Sequence, residues 1–99
     1  MLTHEQIVKA VEKAATKFPL TKVSYFGSYA DGNATEESDL DVIVEFTTKS
    51  ISYLKIIALK RVLEEELHIS VDVLHAPLPE RAQKHLIIKK LVPVYEQTG

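Results

Sequence analysis

Two aspartates one residue apart, Asp39 and Asp41, open the apolar stretch that runs to Phe46, and a glycine-serine step, Gly27-Ser28, closes the apolar stretch before it. Residues two apart on a strand project to the same side, about 6.6 Å apart along the backbone. Two carboxylates at that spacing repel each other unless a cation lies between them. Magnesium suits such a pair, because it takes oxygen ligands and keeps places open for water and phosphate oxygens. Two ions of this kind can activate an attacking hydroxyl and hold a leaving phosphate. The Gly27-Ser28 step supplies the complementary half. Glycine lets backbone amides approach an anion closely, and Ser28 adds a hydroxyl and an amide donor. Asp72, a lone acid in the apolar run Ile69 to Leu74, is the third piece. It is placed as a shared metal ligand or as the base that accepts a proton from an incoming hydroxyl.

Each feature alone has a plainer explanation. Gly-Ser is a common turn, and Asp-x-Asp before a strand can simply cap a loop. Their order, on a strand-turn-strand frame with an acid on the next strand, carries the weight. The remaining candidates are weaker. His4, His68, His75 and His85 show no ligand spacing, although His75 follows Asp72 closely enough to lie near the mouth of the site. Tyr25 and Tyr29 flank the Gly-Ser turn and could stack on a base, but an aromatic in a strand is more often core.

The elements that must position these residues are legible in order. Thr3 caps a first helix from about Thr3 to Phe18, with Gln6 completing a capping box and Ile7, Ala10, Val11 and Ala14 on one stripe. Lys22 to Phe26 is a strand, Ser28 to Ala30 a short helical turn, and Asp31-Gly32-Asn33 strong turn chemistry. In the strand Leu40 to Phe46, Leu40, Val42, Val44 and Phe46 share one face and Asp41, Ile43 and Glu45 the other. Ser52 caps a helix through about Leu67, with Leu54, Ile57, Ala58, Val62 and Leu63 as its apolar stripe and Lys60, Arg61, Glu64, Glu65 and Glu66 facing water. Ile69 to Leu74 is the third strand. Pro79, Glu80, Lys89 and Lys90 bound a final helix that Pro93 ends, and Val94-Tyr95 packs back onto the body. The expected fold is α+β, a small mixed sheet of about three strands flanked by helices in the order α-β-(short α)-β-α-β-α, as one domain over residues 1–99.

Composition narrows the function classes. Twelve basic and fourteen acidic residues among 99 give a net charge of -2, so no global field draws the chain onto nucleic acid. Extension of RNA or DNA ends is accordingly disfavoured. The absence of cysteine removes disulfides, thiolate zinc sites and a cysteine nucleophile. The N-terminus lacks a basic region leading into an apolar run, and no stretch approaches a bilayer span, so a soluble, cytoplasmic protein is expected.

Phe26-Gly27-Ser28, ten intervening residues, and Asp39-Leu40-Asp41-Val42 resemble the signature of the nucleotidyltransferase superfamily. The short length, the opening helix and the Val92-Pro93-Val94-Tyr95 tail resemble its minimal members, which act as antitoxins beside HEPN-domain toxins. The resemblance implies a nucleotidyltransferase fold and transfer of AMP from ATP to a hydroxyl, a tyrosine on a partner HEPN toxin. It implies that Asp39, Asp41 and Asp72 bind magnesium and catalyse, and that Gly27 and Ser28 hold the nucleotide. One departure stands out. Minimal members usually read Gly-Ser-x-Ala-Arg-Gly, whereas this chain has Asp31 at the arginine position, which keeps open an antitoxin that neutralises its partner by binding alone. Self-association is left open.

Overall fold

The computed structural model describes residues 1–48, 50–76 and 90–97. The elements run α1 (His4–Ala15), β1 (Leu20–Phe26), α2 (Ser28–Asp31), β2 (Leu40–Phe46), α3 (Tyr53–Leu67), β3 (Val71–His75) and β4 (Val92–Glu96). The final helix expected from Pro79 lies outside the described residues.

The local signals explain the helix starts. Thr3 Oγ1 accepts from the Gln6 N–H while Gln6 Oε1 accepts from the Thr3 N–H, so the capping box is complete. Ser52 caps α3 with a single bond, its side chain accepting from the Lys55 N–H. On α1 the stripe Ile7, Ala10, Val11 and Ala14 is buried, as the spacing requires. On α3 the buried stripe is Leu59, Leu63 and Leu67, with Ile56, Ile57 and Val62 half-buried. That corrects the expectation for Leu54 and Ala58, both of which are exposed. α3 carries apolar residues around much of its circumference, so spacing alone does not say which stripe faces inward.

The expected three strands are joined by a fourth, in the order β3-β2-β1-β4. β1 pairs antiparallel with β2 and with β4, and β2 pairs parallel with β3. β4 is the segment expected only to pack against the body. Pro93 marks it as a poor central strand, but an edge strand tolerates a residue that cannot donate, and the pairing with β1 shifts register beside it. Leu40, Val42 and Val44 of β2 and Val71 of β3 are fully buried in one cluster with α1 and α3. The opposite face of β2 begins with Asp41.

Two hydrogen bonds fix where β2 and β3 start. The Leu40 N–H donates to the Ser70 carbonyl at 3.0 Å, and the Val71 N–H donates to Glu64 Oε2 at 3.1 Å. Glu64, expected to face water within a charged run, is instead half-buried and ties α3 to the head of β3.

Candidate functional site

Register does most of the assembly. Asp41 is directly opposite Phe26 in the antiparallel pair and opposite Asp72 in the parallel pair. Residues opposite each other point to the same side, so both carboxyls emerge from one face at the strand heads. They are direct neighbours across the parallel pair. Gly27 follows Phe26 and so lies against Asp41. A Cβ at residue 27 would collide with Asp41 Oδ2, and its φ of 72° with ψ of -148° is backbone that only glycine adopts freely. The glycine of the signature is therefore explained by the carboxylate beside it.

Gly27 also starts the single turn of α2, where the Asp31 N–H donates to the Gly27 carbonyl at 3.0 Å and the Asn33 N–H to the Ser28 carbonyl at 2.9 Å. The loop before Asp39 is folded on itself, with Ser38 Oγ accepting from the Thr35 N–H at 2.8 Å. Asp39 and Asp72 are exposed and Asp41 is half-buried. The Asp41 carboxyl is held above the ordinary carboxylate range, first by burial, then by the charge of Asp72 and its hydrogen bond, and last by the charge of Asp39. Asp41 thus takes the strain of the site. Among the described residues, no three histidine, cysteine, aspartate or glutamate side chains form a ready-made metal cluster. The donor set fits a hard cation whose remaining ligands are water and phosphate, since magnesium commonly binds through one or two carboxylates.

Beside the acids lies a cleft of about 460 Å³, walled by Phe26, Ile56, Ile57 and Leu74 and reached by Tyr53 and Lys60. Helical spacing alone puts Lys60 in solvent and gives Tyr53 no part, yet both reach the cleft. Only the parallel pairing of β3 brings the start of α3 to this point.

Other candidates separate from the site. His75 pairs with Val44 and packs edge-on against Phe46, with ring centroids 5.3 Å apart, so it belongs to the face away from Asp41 and Asp72. Tyr25 is buried, and its hydroxyl lies 2.9 Å from His4 Nδ1. Burial pushes that phenol above its usual range. Tyr29 is half-buried against the core, in a groove with Leu2, Gln6 and Leu67. Both tyrosines are thus structural. Asp31 is exposed at the end of α2.

A small mixed sheet that presents aspartates at adjoining strand heads, opposite a glycine-serine turn, defines the class. The profile of the Nucleotidyltransferase domain matches residues 6–94, and the chain belongs to that family. A protein of Methanocaldococcus jannaschii provisionally named a protein adenylyltransferase is 34% identical over 70 residues, covering 71% of this chain and 70% of its own length. In two others of the same kind the matched span is 66% and 64% of the relative's length. The protein adenylyltransferase MntA of Thermococcus cleftensis is 36% identical over 77 residues, 74% of this chain and 77% of the relative. Among solved structures, one provisionally named a minimal nucleotidyltransferase superposes with a TM-score of 0.67 at 31% identity, covering 87% of each chain. The fold also matches, with a TM-score of 0.71 at 16% identity over 96% of this chain and 74% of the other, a chain from the complex of a tri-AMPylated Shewanella oneidensis HEPN toxin with its MNT antitoxin. No described helix is long and apolar enough to cross a membrane.

Proposed function

We propose that this chain, as one domain acting in the cytoplasm, transfers AMP from ATP to a tyrosine hydroxyl of a partner HEPN toxin and so serves as its antitoxin. The observation that carries the reading is the register of β2, which brings Asp41 opposite Asp72 on one side and against Gly27 on the other. The names of the curated relatives and the AMPylated toxin in the matching complex support it.

Asp39 and Asp41 would hold magnesium, as two ions, and Asp72 beside Asp41 is the carboxylate left to take the acceptor's proton. When bound, the metal neutralises phosphate charge and lowers the cost of forming the attacking oxyanion. The chain's own residues do the positioning that phosphoryl transfer mainly demands. The amides around Gly27 and the Ser28 hydroxyl hold the β and γ phosphates. The tyrosine oxygen attacks the α phosphorus, and the bond from that phosphorus to the bridging oxygen breaks. Pyrophosphate leaves, and the phenolic proton passes to Asp72. The products are the AMP ester, pyrophosphate and one proton.

One observation favours a second reading. Asp31 places a negative charge a single turn from Gly27, where minimal members carry arginine, and that opposes phosphate binding. A chain that neutralises its partner by binding alone would keep the fold and lose the reaction. Pyrophosphate release from ATP, followed in the presence of magnesium and the cognate toxin, separates the two. Release that requires the toxin supports transfer. A tight complex with no release leaves only the binding role.

A further inference from the structure

The sheet order gives the site two sides. The Gly27-Ser28 turn at the end of β1 lies on one side of Asp41, and Asp72 on the edge strand β3 lies on the other. With a nucleotide's phosphates on the turn, the cleft beside Asp41 and Asp72 is a way in for an acceptor. That side carries the cleft bounded by Asp41, Asp72, Phe26, Tyr53, Ile57 and Lys60, and its rim is the first half of α3.

This half of α3 is unusual in three respects. Tyr53 and Leu54 are 74% and 77% exposed, although the same helix buries Leu59, Leu63 and Leu67 on its other side. Leu54, Ile57 and Arg61 follow i, i+3, i+7 spacing, so they form one outward stripe that adjoins the cleft at Ile57. The segment Tyr53 to Val62 contains Lys55, Lys60 and Arg61 and no acid, in a chain of net charge -2. An apolar stripe edged by cations, continuous with a reactive cleft, has the character of a protein-docking surface.

We infer that Tyr53, Leu54, Ile57 and Arg61 dock the protein that receives the nucleotide, and that this partner brings an apolar patch edged by carboxylates and carrying the acceptor tyrosine. The cleft behind the stripe admits the phenol ring, and its hydroxyl is thereby led to the Asp72 side of Asp41. The inference rests on the transferase reading for its chemistry, which is the AMP transfer already balanced above. Its geometry stands on the outward stripe of α3 and the cleft that adjoins it.

The test uses the full chain with its co-expressed HEPN toxin and the variants Leu54→Glu and Arg61→Glu, both at exposed positions whose melting temperatures should match wild type. Calorimetry measures affinity for the toxin and, separately, for magnesium-ATP. Transfer of labelled AMP is followed as KM for the toxin and kcat. The expected result is a tenfold or greater loss of toxin affinity and a matching rise in KM, with kcat and magnesium-ATP affinity held. Wild-type affinity for the toxin in both variants overturns the inference, and so does loss of magnesium-ATP binding, which would make the stripe part of the nucleotide site. If the wild-type chain transfers no label, the transferase reading fails, while the affinities still decide the docking surface. If the wild-type chain forms no complex, the docking surface fails.

Discussion

Leu40, Val42 and Val44 are wholly buried, whereas Asp41, between two of them, is half-exposed and carries a carboxyl that burial and then its acidic neighbours push toward protonation. The two faces of one strand are thus under opposite pressures. The core face gains from every apolar contact with α1 and α3. The site face gathers like charges that destabilise the metal-free fold, and it relies on the core face to hold them in register. A chain that needs carboxylates close together must stabilise itself elsewhere.

The sharpest way to break this contrast is to change Asp41 itself. In Asp41→Asn, AMP transfer to the toxin should fall by on the order of 10³-fold or more, because a carboxylate proposed to hold the cation is gone. The melting temperature of the metal-free variant should rise rather than fall, as read by thermal denaturation. On the opposite face, Leu59→Ala should cost about 2–5 kcal/mol in a denaturant melt, since it empties a fully buried position. Gly27→Ala lies between the faces. Its Cβ meets Asp41 at a positive φ, so stability should fall by about 1–3 kcal/mol and transfer with it. Glu64→Met removes the acceptor for the Val71 N–H and keeps the stem, which should cost about 1 kcal/mol.

The smallest effect is in pH. Because the folded carboxyl of Asp41 sits above its unfolded value, its contribution to stability is fully present below the unfolded value and is lost as pH rises through the folded one. Metal-free protein should therefore lose this increment on going upward from about pH 4, and the Asp41→Asn variant should not. Melting curves across that range check the sign.

Much of this contrast is written in the sequence. Period-2 alternation separates the faces of Leu40 to Phe46, and Gly27-Ser28 with Asp39-x-Asp41 points to the candidate site before any fold is known. What stays hidden depends on long-range pairing. The parallel register that sets Asp72 opposite Asp41, rather than merely on the next strand, is fixed by the Leu40 to Ser70 and Val71 to Glu64 hydrogen bonds. Glu64 reads as solvated because its neighbours are charged. Leu54 reads as core because it is apolar, whereas the helix turns it outward. Val92 to Glu96 reads as a tail because proline interrupts it, and only the free edge of β1 makes it a strand. Residues whose role follows from their own chemistry were thus legible, and those whose role follows from a distant partner were not.

The paired strand heads should carry out AMP transfer to a protein. The direct measurement is the mass spectrum of the intact HEPN toxin after incubation with ATP, magnesium and this chain, beside the same incubation with Asp39→Asn/Asp41→Asn. The wild-type chain should add AMP to a tyrosine, and the double variant should add none. An unmodified toxin in a stable complex with the wild-type chain, or equal modification by both, would contradict it.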